Sequence, residues 1–422
     1  MTRRRRALSC LLSAIAMAPV GAAADGVWVM TPLAGILGDY SSNPALLYGV
    51  RATGVTTGAL QLDAPTVYQG DAFQFSVFPS VRQANTSGYS AVTSDYEHLN
   101  LGGAYTSERG TLTANGGATR DSSLAYDSLT SGTQGVRRDS LSADANWDQH
   151  LSERLEYQLD ANTQRVNFGH SPGVSRLALV DYEYSNVAPG LAWNSSERNK
   201  FSLSGAVSRY NSIDFHDAFG GRYYTESRST SLQLGFVHQL SELWTLTALG
   251  GYSRVLNEID VNEYNIDITP TSLTVQIIPR RGATSQNGSV YAATLTHKGT
   301  LLTLTAQASR QLAPSGFAYL SRQDIYELTT AYTPSDRWTL SADARLVRYQ
   351  NPPGYQTQLN QVQAANVYTR YFSAAASWHW TEHWTVRLSA SRVSETIQYN
   401  PYNAASNEVT LSITRQFDPI TL

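Results

Sequence analysis

Side chains that alternate in polarity with a period of two mark a strand with one apolar and one polar face. Residues 371–391 show the pattern clearly. Phe372, Ala374, Ala376, Trp378 and Trp380 alternate with Tyr371, Ser373, Ala375, Ser377 and His379. A turn follows at Thr381-Glu382-His383. Trp384, Val386, Leu388 and Ala390 then alternate with Thr385, Arg387, Ser389 and Ser391. Each arm is close to the 9–11 residues with which an oblique strand crosses a bilayer.

The same strand–turn–strand unit recurs. Its turns read TSERG (106–110), DQHLSERL (148–155), NSSERNK (194–200), QLSELW (239–244), THKGTL (296–301), TPSDRW (333–338) and TEHW (381–384). An aromatic residue often precedes the turn: Tyr105, Trp147, Trp193, Phe236, Tyr332 and Trp380. Short charged turns alternate with longer connections rich in Gly, Asn, Asp and Tyr, at 121–136, 211–225, 256–285 and 350–365. That asymmetry, with aromatics ringed at one level, predicts an all-β transmembrane antiparallel up-and-down β-barrel with short periplasmic turns and long outer connections.

Counting from Phe73, the pattern predicts strands at 73–83, 94–106, 110–121, 138–149, 154–167, 181–194, 200–211, 226–239, 243–256, 286–297, 300–311, 320–333, 337–349, 366–380, 384–396 and 406–417. That makes 16 strands in a barrel over 73–417, with a tail at 418–422. Residues 25–72 read less clearly. Val27 to Leu37 and Leu46 to Leu62 either add two strands, giving 18, or lie in the periplasm or the lumen. A soluble sandwich reads poorly, because its inward face needs a dry core of Val, Ile, Leu and Phe. Here the polar face carries Gln158, Asp160, Gln164, Gln307, Asp343, Arg345 and Arg387 in mid-strand. A watery lumen removes the cost of placing them there, and closure leaves no unpaired edge.

The N-terminus fits this compartment. Arg3 to Arg6, an apolar stretch from Ala7 to Val20, and Ala22-Ala23-Ala24 before Asp25 form the three parts of a secretory signal peptide, residues 1–24. Cys10 is the single cysteine and lies inside it, so the mature chain is expected to hold no disulfide, cysteine metal site or cysteine nucleophile. No run of about 18 apolar residues follows Asp25, which excludes spanning helices. A net charge of -3 implies no basic face for nucleic acid. The last strand places Val409, Leu411, Ile413 and Phe417 on one side, similar to the assembly signal of outer-membrane barrels, although Asp418 to Leu422 follow. The expected location is therefore the outer membrane of a Gram-negative bacterium, with its lipids and its barrel-assembly machinery as partners.

GDYSSNPALL (38–47), RDSSLAYDSLTSGTQGVRRDSLSADANW (120–147) and LVDYEYSNVAPGLAWNSSERNKFSLSGAVSRYNS (179–212) resemble the beta-barrel porin type 2 family, some members of which are similar to exopolysaccharide-associated outer-membrane barrels. The resemblance spans most of the mature chain and rests on patterned hairpins. It implies a channel or export component acting on a polysaccharide with periplasmic export partners, and it brings no catalytic residues.

Chemistry is sparse. No phosphate loop, dinucleotide fingerprint, H-E-x-x-H or calcium loop is present, and no cofactor or metal is expected. Gly169-His170-Ser171-Pro172-Gly173 matches G-x-S-x-G but lies between β-patterned segments, where a nucleophile elbow needs a strand and a helix. His150, His238, His297, His379 and His383 fall at the short-turn end; His98, His170 and His216 fall toward the outer end, where a rim enzyme would need them. The chain reads as non-enzymatic. The candidate functional residues are the lumen-lining ones: Glu156, Asp160, Asp343, Arg345 and Arg387 for the field, with Tyr210 and Tyr371 for stacking on sugar rings. Cross-strand salt bridging that stiffens the wall is the competing role. Two other functions stand beside the channel: an adhesive barrel binding through its long connections, with 256–285 projecting as a hairpin or folding into the lumen, and a lipid- or glycan-modifying enzyme using His98, His170, Ser171 or His216.

Overall fold

The alternation closes into one antiparallel ring. The computed structural model describes residues 26–44, 46, 54–87, 95–122, 137–169, 180–213, 215–216, 222–269, 272–314, 320–350, 367–398 and 403–422. The described residues form a barrel of 18 strands. They are β1 (Val27–Met30, resuming as Leu33–Ser41), β2 (Val55–Asp63, resuming as Thr66–Gln69), β3 (Phe73–Ser87), β4 (Tyr96–Ser107), β5 (Gly110–Ser122) and β6 (Arg137–His150). Next come β7 (Leu155–Phe168), β8 (Tyr182–Ser196), β9 (Asn199–Ser212), β10 (Arg222–Gln239), β11 (Trp244–Thr269) and β12 (Ser272–Lys298). The ring ends with β13 (Leu302–Pro314), β14 (Leu320–Ser335), β15 (Trp338–Gln350), β16 (Val367–His379), β17 (Trp384–Ile397) and β18 (Asn403–Gln416). Each strand pairs with its sequence neighbours, and β18 closes on β1 with Tyr40↔Val409 and Ile36↔Ile413. No helix of the described residues is long and apolar enough to cross a membrane.

The larger of the two strand counts is therefore the one formed. Residues 27–69 supply β1 and β2, so the wall begins before Phe73. The expected tail also joins it: Ile420–Thr421 pairs with Met30 and Val29. Residues 256–285 are not an irregular connection. β11 and β12 stay in register from Trp244↔His297 to Thr269↔Ser272 as a single hairpin. On its far side β12 pairs with β13 only from Tyr291 to Lys298. Of the expected connections at 121–136 and 350–365, Asp121 and Ser122 end β5 and Gln350 ends β15, and the remaining residues lie outside the described residues.

The short turns explain the repeated sequence motif. In the turns after β6, β10 and β16 a hydroxyl accepts backbone N–H groups from the next two or three residues. Ser152 Oγ accepts from Leu155 N (3.1 Å), Ser241 Oγ from Trp244 N (3.2 Å), and Thr381 Oγ1 from Trp384 N (3.1 Å). The hydroxyl mimics a backbone acceptor and fixes the reversal. Three tighter turns close at Ser107↔Gly110, Ser196↔Asn199 and Ser335↔Trp338, each around an acid–arginine pair: Glu108-Arg109, Glu197-Arg198 and Asp336-Arg337. The arginine carbonyls accept from the end of the strand beyond: His150 N to Arg109 O at 2.7 Å, Gln239 N to Arg198 O at 2.9 Å, and His379 N to Arg337 O at 2.8 Å. Each hairpin is thereby stitched to the next, as backbone groups at a sheet's rim require.

Register assigns every side chain to one face. On the outward face Trp193, Phe201 and Phe236 are neighbours, with ring centroids 6.1 and 5.1 Å apart. Trp338 stacks on Trp378 at 6.0 Å, and Trp147 meets Tyr157 edge-on at 5.6 Å. These form an aromatic collar at the short-turn end. Beyond it the outward face is apolar, through Leu203, Leu232, Leu234, Leu340 and Leu411 among others, all well exposed. Further along the same strands it becomes charged. Arg120 bonds Glu97 and Asp139 (both 2.9 Å), Arg165 meets Glu183 (3.2 Å), and Glu226 bridges Arg209 (3.0 Å) and Arg228 (2.7 Å).

Candidate functional site

The inward face is built from the alternate positions, where Ser, Thr, Asn and Gln recur among charged, small and, in the outer half, apolar residues. All seven residues expected to line the lumen share it. Glu156 and Asp160 stand on β7, Tyr210 on β9, Asp343 and Arg345 on β15, Tyr371 on β16 and Arg387 on β17. Each is in phase with inward polar residues and out of phase with the outward apolar residues of its own strand.

The structure does not gather them into a ring. Glu156, Asp160, Asp343 and Arg387 bond locally. Glu156 accepts from Lys200 and from Asn194 Nδ2 (2.8 Å), with His150 Nδ1 at 3.6 Å. Asp160 accepts from Asn146, and Asp343 from Thr329 Oγ1 at 3.0 Å. Arg387 donates to Ser377 Oγ at 3.4 Å. Arg345 lies in register between Glu327 and Tyr371. The charges thus act as separate patches, and Glu156, Asp160, Asp343 and Arg387 are each softened by a hydroxyl or amide neighbour.

The interior differs between its two halves. Near the short turns Asn115, Asp144, Asp160, Asn162, Arg345 and Arg387 are exposed on the inner face, which makes this end a wet vestibule. In the other half inward side chains are buried on strands around most of the circumference. Examples are Thr57, Ser80, Asp121, Val166, Ser227, Asn257, Ser309, Ser321, Thr369, Glu395 and Ser406. Two apolar clusters anchor this packing. Val166, Phe168, Tyr182 and Tyr210 pack with Leu320, which brings β7–β9 against β14. Ile325, Val347, Tyr349 and Val367 pack with Ile397. A buried fork joins Arg138 to Asp121, Nε–Oδ1 at 2.9 Å and Nη2–Oδ2 at 3.0 Å. Such bidentate geometry fixes orientation as well as charge.

Tyr210 departs from the expected role. It faces inward, but it is 0% exposed and stacks on Tyr182 at 5.3 Å, so its ring is committed to packing and does not meet a passing sugar. Sequence reasoning also missed Asp144 and Lys200, although both lie in phase with residues it did name. His98 faces inward and bonds Tyr96 Oη (2.6 Å) and Asn100 Oδ1 (2.5 Å), away from the lipid face a rim enzyme would use. His170, Ser171 and Gly173 lie outside the described residues. No group of three metal-ligating side chains occurs among the described residues.

No family profile matches the chain, and no curated protein matches it. Solved structures do. The ferric citrate transporter FecA in its unliganded form aligns over 92% of this chain and 78% of its own, at 9% identity and a TM-score of 0.48. The copper transporter OprC aligns over 94% and 82%, at 10% identity and 0.44. OccK2 (OpdF) of Pseudomonas aeruginosa aligns over 94% and 98%, at 12% identity and 0.41. The functional argument rests on this chain's own two faces.

Proposed function

We propose that this chain is an outer-membrane channel with a vestibule on the periplasmic side and a gate in its outer half. The observation that carries the proposal is the apolar belt on the outward face with an exposed polar inner face behind it in the short-turn half. A lipid-facing belt between an aromatic collar and a charged rim is what a spanning barrel needs, and a wet interior is what its polar face needs. Eighteen strands enclose more width than eight, whose interior side chains alone would fill.

The inner face favours a polyhydroxylated solute. Hydroxyl and amide side chains recur along it and bond Asp160, Asp343 and Arg387, so a neutral chain slides between exchangeable hydrogen bonds. An exopolysaccharide delivered by periplasmic export components fits that surface. Tyr371, beside Arg345, gives it a ring to stack on.

Planar-bilayer recording tests this. The wild-type barrel is expected to be mostly closed, with rare openings. Tyr210→Ala, which removes the centre of the buried cluster, should raise the open fraction at least tenfold. An open, high-conductance wild type unaffected by Tyr210→Ala would remove the gate. Silence in both proteins would remove the channel.

A further inference from the structure

The charged rim is not the same all the way round. On β4 to β10 its arginines are balanced by Glu97, Asp139, Glu183 and Glu226. On β13 to β17 one outward arginine stands on each strand: Arg310, Arg322, Arg348, Arg370 and Arg392. Among the described residues Asp324 is the single acidic side chain on the outward face of β13 to β18. It is already held by Arg310 (2.5 and 3.0 Å) and Gln350 (3.1 Å). Arg322, Arg348, Arg370 and Arg392 form no ion pair within the described residues. Arg348 lies over the Tyr368 ring at 5.4 Å, and its buried Nε has no hydrogen-bond partner.

These four are diagonal neighbours. Asp324↔Arg348, Leu346↔Arg370 and Phe372↔Arg392 put each arginine two positions lower in register than the last. Diagonal positions on one face are about 7–8 Å apart, within reach of two guanidiniums sharing one anion. The aromatic collar descends the same way, from Tyr332 to Trp338 and from Trp378 to Trp384. The arginine line therefore runs along the membrane boundary.

Directly below Arg392 the wall is hollow. A groove of about 530 Å³ has Ala342, Ala344, Ala374 and Ala390 on its floor and Leu328 and Phe372 on its sides, with Arg392 at its upper end. Four small residues on three adjacent strands leave a furrow where neighbouring sectors carry Leu or Phe. An unneutralised cationic line above an apolar furrow is complementary to one kind of molecule: an amphiphile with an anionic headgroup and acyl chains.

We propose that β14 to β17 form a docking site for a phosphorylated glycolipid of the outer leaflet. Arg370 and Arg392 take its phosphate, Arg322 and Arg348 extend the charge, and the alanine furrow takes an acyl chain. This rests on the outer-membrane reading above. The test is native mass spectrometry of the full mature barrel released from neutral detergent. The probes are a bis-phosphorylated hexa-acyl glucosamine disaccharide and the same lipid enzymatically dephosphorylated.

The phosphorylated probe is expected to bind at one site and to outcompete the dephosphorylated one at least tenfold. Arg370→Gln with Arg392→Gln should abolish that preference, and Ala374→Trp should weaken both probes. Arg165→Gln with Arg209→Gln, on the balanced sector, should change nothing. Equal binding of the two lipids by the wild type overturns the proposal without any variant, as does equal loss in the control. A furrow occupied by a second copy, seen as a dimer that lipid does not dissociate, also overturns it. Failure of the wild type to give a heat-modifiable barrel in detergent would instead strike the outer-membrane reading.

Discussion

Replacing Leu232 by arginine is the most direct assay of which face meets lipid. Leu232 points outward, 60% exposed, between Gly205 on β9 and Tyr252 on β11. Along β10 it stands four residues from Phe236 in the aromatic collar and four from Arg228 in the charged rim. Four residues rise about 13 Å along a strand. With the usual barrel tilt of about 40° that leaves about 10 Å along the membrane normal on each side. Leu232 is thus at the middle of an apolar belt about 20 Å tall, close to the height expected of such a band. Arginine at the midplane of a lipid-facing strand costs about 2–4 kcal/mol, and near an interface about 0–1. Gln233, the next residue, faces inward over Gly251 and bonds Ser231 Oγ at 3.3 Å. Arginine there can reach the vestibule, so Gln233→Arg should cost under about 1 kcal/mol. Reversible unfolding from lipid vesicles in denaturant, read by tryptophan fluorescence, measures both. Leu232→Arg should lower stability by about 3 kcal/mol, a factor of about 150 in the folding constant. Equal costs at the two positions, or a larger cost at Gln233, would refute the assignment of faces.

Other consequences can be measured in the same system. Ser152→Ala, Ser241→Ala and Thr381→Ala should each cost about 0.5–1.5 kcal/mol, since each removes a turn acceptor, and the three should add because the sites are far apart. Arg138→Ala should cost about 3–5 kcal/mol by leaving Asp121 buried without its fork, and Asp121→Asn in that background should recover part of it. Asp144, Asp148, Asp160 and Asp343 outnumber Arg345 and Arg387 in the vestibule, so open channels should prefer cations; Asp144→Asn with Asp160→Asn should move the reversal potential in a potassium chloride gradient toward zero.

Sixteen strands were legible because apolar outward positions alternate with polar or small inward ones, and because the turns carry a hydroxyl or an acid–arginine pair. β1 and β2 were harder to read for a specific reason. Pro32 and Pro65 split each into two segments, and Pro79 lies beside them in β3, so the sequence reads as short pieces although the register runs on across the breaks, from Leu62↔Val81 to Thr66↔Val77. Their carbonyls still serve the wall: Phe417 N bonds Pro32 O at 2.9 Å, Thr31 N bonds Pro65 O at 2.9 Å, and Ala64 N bonds Pro79 O at 3.1 Å. The long β11–β12 hairpin read as a connection because its Asn, Asp and Thr content and Pro279 mimic a loop. The packed half of the lumen could not be read at all. Whether Tyr210 lines a pore or fills it depends on Leu320, which no local pattern places beside it.

The contact between β1 and β18 has a consequence for assembly. Ser41 Oγ meets Ser406 Oγ at 2.9 Å across a sequence separation of 365 residues. Until those partners are both in place, the unfinished cylinder presents two raw margins of unbonded peptide groups, each a template for fusion with another molecule. Such distant joining is slow. The vulnerable interval in this protein's life is therefore the wait for its final segment, and a cut before Asn403 would forfeit the whole enclosure and not merely one stave.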